Sequence, residues 1–371
     1  MSALPRRAFI GSLAGVVLGL SACARAPIRI GFVGGLTGRT ADLGVAGRDG
    51  ALLALEQANA AGGVDGRMLE LVTADDQQNP ERAVDAFKRL QDAGVSLVLG
   101  PMTSAMAMVM VPMANAAGLL LLSPTVTTSA LTGLDDQFFR VISSTREYAI
   151  ASARYHAQRG KLSRVAAILD MSNAAYTERW LADFEQAFQQ LGGEVITRAG
   201  YRFEPGMAFA EVAQRALVNQ PDGLLLLTGA VDAAQLLQQV RKLRPALPVM
   251  TAEWAATEQL LALAGAAAEG VMAAQFLDRD NQAPAYLALL KNFQQRFGRG
   301  VGFAELAGFD AMGVAVQALA AQANGETLKQ TLVRVRRFDG AQHPVEFTPQ
   351  GDAVRQTYLT RVRNGRYEVQ A

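Results

Sequence analysis

The sequence predicts an α/β protein made of two lobes, each a largely parallel sheet covered by helices on both faces. Three observations carry this reading. Short apolar runs alternate with amphipathic stretches of helical period along nearly the whole chain. The alternation breaks off near Ile142 and starts again a few residues later. The 371 residues also exceed the roughly 100–200 expected of one domain. Helices between successive strands imply right-handed crossovers, and hence parallel pairing buried on both sides.

Ile28–Val33 is an apolar run ended by Gly34-Gly35 and reads as the first strand. Val45–Ala61 carries Leu52, Leu53 and Leu55 and is closed by Gly62-Gly63, a usual helix stop. Leu69–Ala74 is the next strand, and Pro80–Ala93 a helix whose proline suits a first turn. Val95–Leu99, Ser104–Ala117 and Leu119–Leu122 repeat the strand, helix, strand order. The second series runs through Tyr148–Arg159 (helix), Val165–Leu169 (strand), Glu178–Leu191 (helix) and Glu194–Thr197 (strand). It continues through Ala210–Val218, Leu224–Leu227, Ala233–Leu243, Val249–Thr251, Glu258–Leu263 and a strand at Val271–Ala274. Helices follow at Pro284–Arg296, Phe303–Ala323 and Thr327–Arg336. Val345–Phe347, Thr357–Val362 and Arg366–Val369 are terminal strands, the last two joined by the hairpin dipeptide Asn364-Gly365.

Composition narrows function. Thirty-five basic against 34 acidic residues leave a formal charge of +1, so no global field favours nucleic acid or an anionic membrane. Two histidines and one cysteine cannot supply a cysteine-rich metal site, a disulfide framework or an iron–sulfur cluster. The single cysteine sits in an address. Arg6 and Arg7 precede an uncharged apolar run, Ala8–Leu20, whose 13 residues fall short of the ~20 that span a bilayer. Leu20-Ser21-Ala22-Cys23 follows. A basic start, a short apolar stretch and small residues before a cut form an export signal over residues 1–22. The ending resembles a bacterial lipobox, which makes Cys23 the lipidated first residue of the mature chain. The arginine pair leaves both the general and the twin-arginine export routes open.

Motifs for catalysis fail one by one. Gly31–Gly38 lacks the G-x-G-x-x-G spacing of a dinucleotide loop, and G-x-x-x-x-G-K-[ST], G-x-S-x-G and H-E-x-x-H are absent. A triad would have to use His156, inside a helical pattern, or His343 beside Pro344; solvated or capping roles fit both better. Asp75-Asp76 fits a turn before the helix opened by Asn79-Pro80. Met102, Met106, Met110 and Met113 recur at helical spacing and belong to a core, with Met102 at the crevice rim. No enzyme activity, cofactor or metal is expected.

What remains is a place for a small charged solute. Two neighbouring strands end in hydroxyl-rich turns, at Thr103-Ser104 and at Ser123–Thr128, the first opening a helix. Hydroxyls, free backbone N–H groups and a helix dipole receive a carboxylate without any cation. In the other lobe Val249–Thr251 runs into Glu253-Trp254, an acid beside an aromatic, suited to an ammonium group.

The whole mature chain resembles the periplasmic solute-binding proteins typified by the leucine/isoleucine/valine-binding protein. The resemblance rests on Ile28–Val33 with Leu36–Gly38, Ala58–Arg67, Asp75-Asp76 with Asn79-Pro80, Gly100–Ser104, Leu122–Pro124, Glu269-Gly270 and Phe309–Ala311. It implies the type I fold: two Rossmann-like lobes joined by three hinge crossings, near Ile142–Thr145, Met272–Gln275 and Phe338–Val345. Residues 28–144 plus 273–337 then form lobe 1, and 145–272 plus 338–371 lobe 2. It implies an amino acid or related carboxylate carried to the permease of an ABC importer by a monomeric, lipid-anchored receptor in the cell envelope. Carried over residue by residue, the carboxylate-binding serine is Ser104, the ligands after the next strand are Thr125 and Thr127, the closing aromatic is Tyr176 and the ammonium-binding acid is Glu253. Leu43, Met102, Gly229, Trp254 and Phe276 are candidates for the pocket wall. The chain departs from the family where Leu43 replaces an aromatic, Gly229-Ala230 stands for a tyrosine, and Thr103 occupies a disulfide position. Relatives of this fold also activate cell-wall synthases, which keeps a non-transport scaffold as the alternative. Cys23→Ser should release the protein from the membrane into the soluble fraction; retention of that variant would contradict the lipobox.

Overall fold

The computed structural model describes residues 25–39 and 41–370. The export signal and Cys23 lie outside the described residues. The first lobe is built on β1 (Ile28–Gly34), β2 (Leu69–Asp75), β3 (Val98–Leu99), β4 (Leu121–Ser123) and β5 (Phe138–Arg140), with α1 (Asp42–Ala60), α2 (Pro80–Asp92) and α3 (Ser104–Ala117) between them. All pairs are parallel, in the order β2-β1-β3-β4-β5.

The second lobe begins at α4 (Thr145–Gln158) and continues through β6 (Arg164–Asp170), α5 (Ala174–Gln189), β7 (Glu194–Tyr201), α6 (Phe209–Leu217), β8 (Gly223–Leu227), α7 (Ala230–Leu243), β9 (Val249–Thr251), α8 (Glu258–Ala264) and β10 (Met272–Gln275). The chain then returns to the first lobe for α9 (Pro284–Phe297), α10 (Phe303–Ala321) and α11 (Leu328–Val335). After the short pair β11 (Arg337–Phe338) and β12 (Val345–Glu346), it ends with β13 (Tyr358–Arg363) and β14 (Arg366–Val369). The second sheet has the order β14-β13-β10-β9-β8-β6-β7; β13 and β14 are its antiparallel members. Asn364 and Gly365 both take positive φ, as a two-residue hairpin turn requires.

The expected division of the chain needs two corrections. β10 lies between β9 and β13 in the second sheet, so the proposed boundary at 272/273 falls inside a strand. Residues 338–353 belong with the first lobe rather than the second. Phe347 meets Phe139 of β5 edge-on at 5.4 Å, and the Gly351 carbonyl accepts the Arg140 N–H. Charge fixes the same segment. Arg140, buried, pairs with Asp352 at 2.6 Å, and Arg355 lies 2.7 Å from Asp310 of α10 with both groups out of water. The Arg355–Asp310 contact is one of charge and is not angled as a hydrogen bond.

α1 and α10 are joined backbone to backbone. A methyl on Gly50 would lie 2.0 Å from the Glu305 carbonyl oxygen, and one on Gly308 would lie 2.1 Å from that of Gly47. Only glycine permits this approach, which presses α10 onto the first lobe; α10 is long and apolar enough to cross a membrane but is mostly buried here. Gly308→Ala should therefore cost about 2 kcal/mol or more of stability. Gly313→Ala on the same helix meets nothing nearer than 4.0 Å and should be neutral or slightly stabilising. The urea midpoints of the two variants check this pair of outcomes.

Candidate functional site

The strand ends of the two lobes face each other across a cleft. On the first lobe, β3 runs through Gly100–Thr103 into α3. Thr103 is extended, in the usual N-cap conformation, yet its hydroxyl makes no cap bond and has no partner, although the residue is only 5% exposed. The helix is capped from the other side instead. Asn173, at the end of a short turn after β6, accepts the Ala105 N–H with its Oδ1 at 2.9 Å. Ser104 Oγ accepts the Thr128 N–H at 3.3 Å. Thr125 donates to the Met102 carbonyl at 2.6 Å, and Ser123 donates to the Pro101 carbonyl at 2.8 Å. The hydroxyls expected to meet a ligand thus first bind the two turns together, leaving the Ser104 proton to donate.

On the second lobe, Glu253 follows β9 and is 2% exposed. Its carboxyl accepts Thr127 Oγ1 at 3.3 Å from across the cleft and Trp180 Nε1 at 3.2 Å from α5. No cation is among these partners. Burial pushes the Glu253 pKa up to about 7, against the opposing pull of the backbone, Tyr176, Trp180 and Thr127. Tyr176 packs edge-on to Trp254 with ring centroids 5.6 Å apart. Its hydroxyl is buried and bears on the Glu253 carboxyl without a well-formed hydrogen bond.

The space between these groups is a cavity of about 20 Å³, room for about one water. Larger hollows of about 530 and 600 Å³ lie in one lobe each, and one of about 300 Å³ lies between Asp42 and Glu305 of the first lobe and Thr257–Gln259 of the second. What marks the small cavity is that the hydroxyl-rich turns and the buried acid at the strand ends meet in it.

The structure brings Ser104, Thr125, Tyr176, Glu253, Leu43, Met102 and Trp254 to this one cavity, with Thr127 one bond away on Glu253. Two wall candidates are corrected. Phe276 lies beneath the Arg355 guanidinium, 4.8 Å from its ring centre, outside the cavity lining. Gly229 stands behind the indole of Trp254, where a methyl would touch the ring at 3.4 Å. Sequence reasoning passed over Thr103 as more than a cap, and over Asn173, Trp180 and Phe303 altogether. Chain order after a strand end was the one available signal for Asn173. His156 is also corrected: it is buried, not solvated, and burial with nearby Arg361 lowers its pKa to about 4, keeping it neutral.

A second tie closes the mouth of the cleft. Arg39, in the loop after β1, pairs with Asp232 of α7 and lies 3.8 Å over the Phe203 ring. Asp232 also accepts the Tyr201 hydroxyl at 2.7 Å.

Residues 27–366 match the family described as periplasmic binding protein. The chain belongs to the periplasmic binding protein family. It is 27% identical over 334 residues to the leucine-, isoleucine-, valine-, threonine- and alanine-binding protein of Pseudomonas aeruginosa, covering 88% of this chain and 87% of that protein. Its type I fold is that of solved family members. The branched-chain amino acid transporter substrate-binding protein of Streptococcus pneumoniae, in complex with isoleucine, matches with a TM-score of 0.83 at 22% identity, over 93% of this chain and 99% of that one. A solute-binding protein of an ABC transporter from R. palustris, in complex with benzoate, matches with a TM-score of 0.81 at 20% identity, over 92% and 95%. These relatives are named as binding proteins for small solutes.

The buried acid gives this periplasmic binding protein a defined pH signature. Because the folded-state pKa of Glu253 lies above the usual 4.5, the folded protein holds a proton that the unfolded chain has released between those values. That contribution is complete below about pH 4.5, declines as pH rises, and is lost above about 7. Glu253→Gln should keep its stability over this range, gaining on the order of 3 kcal/mol relative to wild type by pH 8. Thermal melts of both proteins at a series of pH values test this.

Proposed function

We propose that the protein is the solute receptor of an ABC-type importer, binding an amino acid or related carboxylate between its lobes and handing it to a membrane permease. One observation supports this above others: a helix start and hydroxyl-rich turns without a cation face a buried acid on the opposite lobe. The first set suits a carboxylate and the second an ammonium, at the two ends of one zwitterion. Ser104 and Thr125 serve the carboxylate, Thr127 and Glu253 the ammonium, and Tyr176 with Trp254, Leu43 and Met102 surrounds the rest. The protein works as a monomer in the periplasm, held to the membrane through lipid on Cys23, and makes or breaks no bond.

A cavity of about 20 Å³ is smaller than any amino acid, so the lobes must part to admit one. Three crossings allow it: after Ile142, after Gln275 and at 356–357, where the chain leaves the first lobe. Binding then favours closure by no more than the ligand's differential affinity for the two states. The amino-acid substrates named for the relatives above, and benzoate, make a rational test panel.

The chain has two tryptophans, Trp180 and Trp254, and both stand at the site. Intrinsic fluorescence therefore reports binding directly. A leucine, isoleucine, valine, threonine, alanine and benzoate titration should find a saturable partner; none, together with an unmoved melting temperature, would favour the scaffold alternative. For an amino-acid ligand, Glu253→Gln should weaken binding by about 2–5 kcal/mol. Affinity should also rise with pH up to about 7, since the ammonium requires the ionised acid. Isothermal titration across pH 5–8 reads both.

A further inference from the structure

We propose that Asn173 is a built-in stand-in for the solute's carboxylate, locking the lobes together until a carboxylate displaces it. The inference rests on the solute-receptor reading above and names a regulatory residue of that site. A helix of fourteen residues, α3, leaves its first N–H groups unsatisfied unless something caps them. The residue placed to do so is Thr103, whose hydroxyl makes no bond at all. The amide oxygen of Asn173 does so instead, from the opposite lobe, 68 residues along the chain. Asn173 is 6% exposed, and its Oδ1 occupies the position an anion would take at the positive end of the helix.

Two independent features mark this as a ligand position rather than a simple cap. The Thr103 hydroxyl and the Tyr176 hydroxyl, each at least nine-tenths buried and without a hydrogen-bond partner, line the same cavity as Asn173. Polar groups so buried are normally satisfied, and a carboxylate with two oxygens offers more acceptor sites than one amide oxygen. The second cross-cleft bond, from Thr127 to Glu253, uses the groups assigned to the ammonium. Beside the Arg39–Asp232 tie at the mouth and the bond from Ser129 to Asp183 at 3.1 Å, the closed lobes thus bond to each other at the cavity through the groups that would hold a zwitterion. A receptor of this kind closes partly by itself, and each ligand must compete with its own asparagine. Its apparent affinity is reduced by the fraction of molecules so locked.

The test places one fluorophore on each lobe of the full mature chain and reads their separation, without added solute and during titration with L-isoleucine. Asn173→Ala should widen the resting separation and tighten L-isoleucine binding several-fold. Asn173→Asp, which puts a permanent anion on the helix start, should narrow the separation and weaken binding at least tenfold. Asn173→Ser, too short to span the cleft, should behave as the alanine variant and guards against a folding defect, checked by melting temperature. Unchanged separation in the alanine and serine variants, or weaker isoleucine binding by them, overturns the inference while leaving the receptor reading intact. Widened separation with no binding of isoleucine or any panel compound by wild type or variants supports the lock and overturns the receptor reading instead.

Discussion

A carboxyl group taken out of water without a cation beside it is the constraint around which the cleft is built. Glu253 reaches this state only because the second lobe ends β9 at the interface and the first lobe closes over it. An ionised carboxylate in such a place is costly, so either a proton stays on it or donors converge on it. Both are visible: the raised pKa, and the hydroxyl and indole aimed at its two oxygens. Trp180 could not serve there from an exposed helix face; it is stacked on Phe184, which is stacked on Phe188, so the indole is fixed by the core of the second lobe.

The ties within the first lobe differ in kind from those across the cleft. The first lobe is drawn together by the glycine contact of α1 with α10 and by the buried Arg140–Asp352 and Arg355–Asp310 pairs. Removing either member of such a pair would leave an unpaired buried charge, which costs more than the pair contributes. These pairs pin 337–355 to the first lobe. Across the cleft, by contrast, the ties are single and separable. Arg39 on Asp232 and Phe203 is partly solvated, and the two bonds at the site are a hydroxyl and an amide. Interactions of this strength can be exchanged for others, whereas the buried ion pairs within the first lobe cannot.

Much of the fold was legible because periodicity is local. Ser104–Ala117, Val249–Thr251 and Arg366–Val369 have the predicted bounds, since an apolar helical run closed by Gly118, a short apolar run after Pro248 and an Asn-Gly turn are each written within a few residues. What escaped depends on distant partners. β5 is three residues, Phe-Phe-Arg, and its arginine argues against a buried strand until Asp352, 212 residues later, neutralises it. Residues 338–353, with the strand expected at Val345–Phe347, precede the terminal hairpin and so were assigned with it, although their anchors lie on β5 and α10. In the site, Glu253 announced itself as an acid beside a tryptophan at a strand end. Asn173 did not, because an amide in a short turn carries no local sign that it caps a helix of the other lobe.

The electrostatics of the cleft bear on which charges it accepts. The first lobe supplies partial positive charge at α3 but no formal cation among the cavity's residues, so it suits one carboxylate and not a dianion. The second lobe offers an acid whose pKa lies close to neutrality. On the proposed reading, a zwitterion meets an ionised Glu253 and leaves the closed site near neutral. A carboxylate without an amine meets a protonated Glu253, at little cost near pH 7 because the proton is already half bound there. A buried acid of ordinary pKa would have imposed a far larger cost on the second class of solute. The pKa shift produced by burial therefore widens the range of charge states the site can hold, and selection among solutes falls to the shape set by Leu43, Met102, Tyr176, Trp254 and Phe303.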